Sequence, residues 1–267
     1  MLNLHRSGSG DPYVLIHGLG SEACVWDPVI ERLAPDHDVI AVDLPGFGRS
    51  RPLPEGVTPT PHALAAGVAD ALDELGIETA HLAGNSLGGW VALELARAGR
   101  ARSVVGVCPA GLWGAPIVSA DAPVTRGRAH RAARRLRPLI PIALLSGRVR
   151  RAVLSPFVAH PERVPYRAAW RMVSSYARAT AYDATSTAMR QGALSRRTIA
   201  ELDVPVTLAF ADHDRLVRPV RLPGIQTVLL HDCGHIPMWD DPDAVSDLLR
   251  STAFAARHAQ PEASRAS

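Results

Sequence analysis

Ala80-His81-Leu82-Ala83-Gly84-Asn85-Ser86-Leu87-Gly88-Gly89 is the stretch whose reading decides the fold. Ala80 to Ala83 reads as a short strand. Leu87 to Ala98 carries apolar residues at helical spacing and stops at Gly99. Between them, Gly84-Asn85-Ser86-Leu87-Gly88 matches G-x-S-x-G in the strand–turn–helix setting the pattern requires. The reason is steric. A nucleophile on so sharp a turn adopts strained backbone angles, and glycines two residues to either side let neighbouring segments approach closely. Such a turn lifts the hydroxyl above the sheet and aims the free N–H groups of the new helix at a developing oxyanion. The bland alternative, a glycine-rich loop with an incidental serine, leaves the flanking strand and helix unexplained.

Working outward, Tyr13-Val14-Leu15-Ile16 and Val39-Ile40-Ala41-Val42 are short apolar runs, and Trp26 to Leu33 between them has helical spacing. Pro61 to Leu75 predicts a helix closed by Gly76, and Val104-Val105-Gly106-Val107 another strand. The rhythm resumes at Val204 to Phe210, then Thr227 to Leu230, then a helix from about Pro242 to Phe254. Buried strands alternating with helices predict an α/β protein with a mostly parallel, doubly wound sheet. From Gly111 to Ala200 strand signals vanish, and Arg-rich helical patterns broken by Pro138, Pro141, Pro156, Pro161 and Pro165 replace them. The expected organisation is a core of residues 1–111 and 201–256, an inserted helical cap at 112–200, and a small, polar, flexible tail at 257–267.

A serine hydroxyl is a weak nucleophile near neutrality, so a base must stand beside it. His235, in Cys233-Gly234-His235-Ile236-Pro237, follows a strand near the chain's end and is the candidate. Asp214, directly after the preceding strand, is the candidate orienting carboxylate, with Asp212 as its runner-up. Oxyanion donors are expected from the backbone: Leu87 N–H, after the nucleophile, and Leu19 N–H, after His17-Gly18.

Together, Val14-Leu15-Ile16-His17-Gly18-Leu19-Gly20, Asp43-Leu44-Pro45-Gly46-Phe47-Gly48-Arg49-Ser50, the Ser86 turn, Asp214-Arg215-Leu216-Val217 and Cys233-Gly234-His235 resemble the α/β-hydrolase superfamily, over about two thirds of the chain. The resemblance implies a triad of Ser86, Asp214 and His235, oxyanion donors at Leu19 and Leu87, and no cofactor. The expected reaction is hydrolysis of an ester, thioester or related carbonyl substrate through an acyl-enzyme. Carbon–carbon bond hydrolysis, cofactor-free perhydrolysis and non-catalytic ligand binding stay open on the same scaffold. Haloalkane dehalogenases and epoxide hydrolases of this superfamily put Asp at the turn, and Ser86 argues against both. The sequence departs from the pattern in one place: only about Arg218 to Gly224 is available for the helix that usually separates the acid from the last strand.

Composition removes other classes. The chain has no lysine, all 29 basic residues being arginine, which excludes Schiff-base, pyridoxal phosphate and P-loop chemistry. Cys24, Cys108 and Cys233 are odd in number and scattered, and read as reduced thiols of a cytoplasmic protein. No run is long and apolar enough for a membrane helix or a secretory signal. His231, Cys233 and His235 alternate, with Asp212, His213 and Asp214 near in sequence order, so a zinc hydrolase is a rival, although Gly234 signals a turn there. It also leaves the Ser86 turn without a role, and no metal is expected.

Residues 112–200 hold 16 Arg against Asp121, Glu162 and Asp183, a balance of +13, so the remainder carries −10 within a total of +3. Such separation favours an anionic ligand. Arg126 to Arg151, with Leu136, Leu139, Ile140, Ile142, Leu144 and Leu145 among the arginines, suits an anionic substrate, an acidic carrier protein or an anionic membrane surface as well as a merely solvated face. The expected partner at the site itself is a small acyl substrate. No aromatic-interleaved basic motif points to nucleic acid.

Overall fold

The computed structural model describes residues 2–113 and 125–259. Its centre is a sheet of seven strands: β1 (Leu4–Ser7), β2 (Asp11–Ile16), β3 (His37–Val42), β4 (Ala80–Asn85), β5 (Ala101–Val107), β6 (Val206–Ala211) and β7 (Gln226–Leu230). The spatial order is β1-β3-β2-β4-β5-β6-β7. Only β1 runs antiparallel to its neighbour; every other pairing is parallel. β1 was not anticipated. Its residues Leu4-His5-Arg6-Ser7 lack an apolar run, and Arg6 fixes this edge by a two-pronged bond to Asp38, at 2.8 and 2.6 Å.

Ten α-helices accompany the sheet among the described residues: α1 (Asp27–Leu33), α2 (Pro61–Glu74), α3 (Leu87–Arg97), α4 (Thr125–Arg135), α5 (Ile140–Ala143), α6 (Gly147–Leu154), α7 (Tyr166–Arg178), α8 (Tyr182–Gln191), α9 (Arg196–Ala200) and α10 (Pro242–Ala259). The strands alternate between two cores, as the period of two in a β-strand demands. Val14, Ile16, Ile40, Val42 and Leu82 pack with Leu64 and Val68 of α2 and Val91 and Leu95 of α3. Tyr13, Leu15, Val39 and Ala41 pack on the other face with Val29 and Leu33 of α1 and Val245 and Leu249 of α10. The sheet is thus covered on both sides. Its reactive edge is the line of strand carboxyl ends.

Between β5 and β6 the described residues hold helices α4–α9 and no strand, the inserted cap. Prolines mark its breaks: Pro141 opens α5, and Pro165 caps α7. The cap is tied to the core by Arg178–Glu22 at 2.9 Å, Arg171–Asp27 at 2.6 Å and Leu194 N–H to Gly111 O at 2.8 Å. Between β6 and β7, residues 212–225 form turns without a helix, yet the two strands pair in parallel. The last helix continues to Ala259, three residues beyond the expected end of the core at 256; its Ala253 packs in the core and Ala256 is buried. Residues 114–124 and 260–267, with Asp121 of the cap and most of the expected tail, lie outside the described residues. No helix among the described residues is long and apolar enough to cross a membrane.

Candidate active site

β4 ends at Asn85, α3 begins at Leu87, and Ser86 joins them at φ 56° and ψ −115°. A serine in this region costs on the order of 1–3 kcal/mol, which the surrounding contacts must hold in place. They do so through Ser86 N–H donating to Val107 O at 3.0 Å, and Ala110 N–H donating to Ser86 O at 2.9 Å. Both flanking glycines are obligatory. A Cβ on Gly84 would lie 2.0 Å from Gly88 O, and one on Gly88 would lie 2.1 Å from Ile16 O. From Ala80 to Ala96 every residue is buried except Ser86. The turn presents one side chain and hides the rest.

His235 Nδ1 and Asp214 Oδ2 are 2.8 Å apart, and both side chains are almost fully buried. A carboxylate only accepts, so Nδ1 carries the proton and Nε2 is left as the basic nitrogen. Asp214 Oδ1 in turn accepts from Leu216 N–H at 2.7 Å and Val217 N–H at 3.1 Å. Burial by itself raises the Asp214 carboxyl. The hydrogen bond and charge of His235, with the two N–H groups, outweigh it and hold the carboxyl below its usual value. Asp214 is therefore ionised across the physiological range.

Asn85 links the serine turn to the histidine loop. Its Nδ2 donates to His235 O at 2.8 Å and to Val107 O at 3.2 Å. Ser86 Oγ itself has no hydrogen-bond partner among the described residues. The N–H groups of Leu19 and Leu87 likewise have no acceptor among them. Gly18 brings the Leu19 loop against the nucleophile, since a Cβ there would sit 3.2 Å from Ser86 Cβ. His17 holds that loop: its Nε2 accepts from Leu44 N–H at 3.0 Å, and its Nδ1–H donates to Gly18 O at 2.7 Å. Burial, ahead of the opposing Gly18 carbonyl, pushes the His17 pKa down, so the ring is neutral and structural.

The runner-up carboxylate is placed elsewhere. Asp212 accepts from Cys233 N–H at 3.3 Å and faces His231 Nδ1 at 3.3 Å, bracing the turn that leads to His235. His231 is exposed, and the alternation expected for a zinc site breaks at the turn through Asp232, whose φ is 55°. The group of metal-capable atoms among the described residues is instead Cys108, Asp214 and His235, within 4.8 Å of one another. Burial, then the charge of Asp214, push the Cys108 thiol well above its usual pKa.

Two features escaped sequence reasoning. Cys108 sits at φ 46° beside Asp214 and is a second strained residue in the site. Asp240 accepts from Gly234 N–H at 2.8 Å, Ala159 N–H at 3.0 Å and His160 N–H at 2.9 Å, so one carboxylate fastens the histidine loop to the cap. Ile236 N–H donates to Phe157 O at 2.8 Å beside it. In Trp239-Asp240-Asp241-Pro242 either acid reads as the cap of α10, and Asp241 has that role, accepting from Ala244 N–H at 2.9 Å.

A model of the alpha/beta hydrolase family matches residues 13–248. The chain belongs to this family. This α/β hydrolase is 35% identical over 216 residues to epoxide hydrolase EphH of Mycobacterium tuberculosis, across 70% of its own length and 92% of the relative's. It is 41% identical over 95 residues to the pimeloyl-[acyl-carrier protein] methyl ester esterase of Aeromonas salmonicida, across 36% of its own length and 35% of the relative's. Among solved structures, the enol-lactonase from Burkholderia xenovorans LB400 superposes with a TM-score of 0.75 at 23% identity, over 95% of this chain and 96% of that one. This last likeness bears on the fold alone.

Proposed function

We propose that this α/β hydrolase cleaves carboxylic esters or thioesters through an acyl-enzyme on Ser86. His235 Nε2 takes the Ser86 proton as Oγ attacks the carbonyl carbon. The oxyanion is met by Leu19 and Leu87 N–H, and the leaving group departs with the proton from Nε2. Water, deprotonated by the same nitrogen, then attacks the acyl carbon and releases the acid and free Ser86. Asp214 keeps its charge throughout and stabilises the imidazolium. The observation that carries this reading is the Asp214–His235 bond, on a loop that Asn85 Nδ2 holds against the strained serine turn.

The name of the Mycobacterium tuberculosis relative is weighed by chemistry. An acidic side chain opening an epoxide forms an ester, which water can then cleave at its carbonyl. A serine hydroxyl opening an epoxide forms an ether with no carbonyl for water to attack, so the enzyme stops after one event. Ser86 therefore favours acyl transfer.

A series of p-nitrophenyl esters of increasing acyl length, with styrene oxide as the epoxide probe, tests the proposal. Wild-type enzyme turns over at least one ester, and Ser86→Ala loses that turnover by about 10³-fold or more. Steady styrene oxide hydrolysis without ester hydrolysis overturns the reading.

A further inference from the structure

Arginines of both the core and the cap form ion pairs, Arg171, Arg178 and Arg197 of the cap among them. In the core, Arg6, Arg32, Arg97, Arg100, Arg102, Arg250 and Arg257 each pair with an acid. Residues 131–153 carry seven arginines and no acid. Among the described residues, none of the seven forms an ion pair. The same stretch exposes Leu136, Leu139, Ile142, Leu145, Val149 and Val153, at 38–68% of their full surface. These six pack into none of the apolar cores formed by the described residues. Ile140 and Leu144 show why: they turn inward to meet Ala177 of α7, and so commit the opposite side of this segment to the outside.

We infer that this face, spanning the end of α4 to α6, docks the enzyme on an anionic lipid bilayer. Guanidinium groups without acid partners beside exposed aliphatic side chains match an interfacial surface, where the stems and aliphatics enter the headgroup boundary and the charges stay with phosphates. A protein partner held in one orientation needs directional contacts. Residues 131–153 offer none beyond their arginines: their one other polar side chain is Ser146, whose hydroxyl already accepts from Val149 N–H as the cap of α6. Charge and aliphatic surface without acceptors or aromatics suit a fluid, laterally averaged anion array better than a folded acidic domain. The inference does not depend on the chemistry at Ser86.

Flotation with phosphatidylcholine vesicles, with or without an equal part of phosphatidylglycerol, tests it at low and high ionic strength. The wild-type chain floats with the anionic vesicles and not with the neutral ones, and the bound fraction falls with salt. The Arg135→Gln, Arg137→Gln, Arg148→Gln triple variant partitions about a hundredfold more weakly, at roughly fivefold per arginine. Ile142→Asn with Leu145→Asn weakens binding at both salt levels, and every variant keeps the wild-type melting temperature. Equal flotation with both vesicle types, unchanged binding by the folded triple variant, or capture by polyglutamate without any vesicle binding each overturns the inference.

Discussion

Asp240→Asn probes the joint between the cap and the histidine loop. The native carboxylate accepts three backbone N–H groups, two at Oδ2 from Gly234 and Ala159 and one at Oδ1 from His160. An asparagine oxygen placed over Gly234 and Ala159 leaves an amide NH₂ facing His160 N–H. One charge-assisted bond is lost, about 1.5–3 kcal/mol, and the other two become neutral bonds of roughly half the strength. With loop relaxation the total is about 2–4 kcal/mol. At roughly 2 cal/mol/K per residue, that lowers the melting temperature of this 267-residue chain by about 4–7 °C. Gly234 precedes His235, so ester turnover falls while KM changes little. Calorimetry and steady-state kinetics on one preparation give both numbers. Wild-type melting together with wild-type turnover refutes the view that Asp240 positions the base.

Asp214→Asn removes the acceptor that fixes the His235 tautomer, and kcat drops by about 10³–10⁴-fold with KM nearly unchanged; a change confined to KM contradicts the assigned role. Gly18→Ala sets a methyl 3.2 Å from Ser86 Cβ, and its expected result is a tenfold or greater loss of kcat, about 1.4 kcal/mol or more of barrier, in a protein that still folds. His81 is buried, bonded to Ser103 at 2.8 Å, and burial lowers its pKa from 6.5 to about 4. The unfolded chain therefore takes up the proton first, and the stability His81 supports is intact above pH 6.5 and lost as pH falls toward 4. His81→Phe with Ser103→Ala flattens that decline in urea titrations; an unaltered acid limb counts against it.

How much of this was legible beforehand follows from how local each signal is. The serine turn is local, since its glycines, strand and helix fall within one short run, and Gly84, Ser86 and Gly88 occupy the expected places. The parallel strands are legible because burial on both faces leaves continuous apolar runs. β1 was missed because an edge strand with one polar side carries no such run. The brief crossover before β7 is legible as a departure, since only about Arg218 to Gly224 is available there, and the chain forms turns in place of a helix. The bond from Asn85 to His235 O and the three N–H groups gathered by Asp240 join residues that only tertiary packing brings together. An asparagine in a turn and an aspartate before a proline have local explanations, and nothing in their spacing signals the distant partner. Asp214 is the expected carboxylate and Asp212 its runner-up by sequence order; the contacts separate them, Asp214 facing His235 and Asp212 facing Cys233 N–H and His231.

Intact-mass and peptide mapping after treatment with a fluorophosphonate asks whether Ser86 is an activated nucleophile, because that reagent reports such a serine without a guess at the substrate. A single phosphonyl adduct is expected on the peptide containing Ser86, abolished in His235→Ala. Absence of an adduct from the folded wild-type chain, or an adduct on another serine, contradicts an activated Ser86.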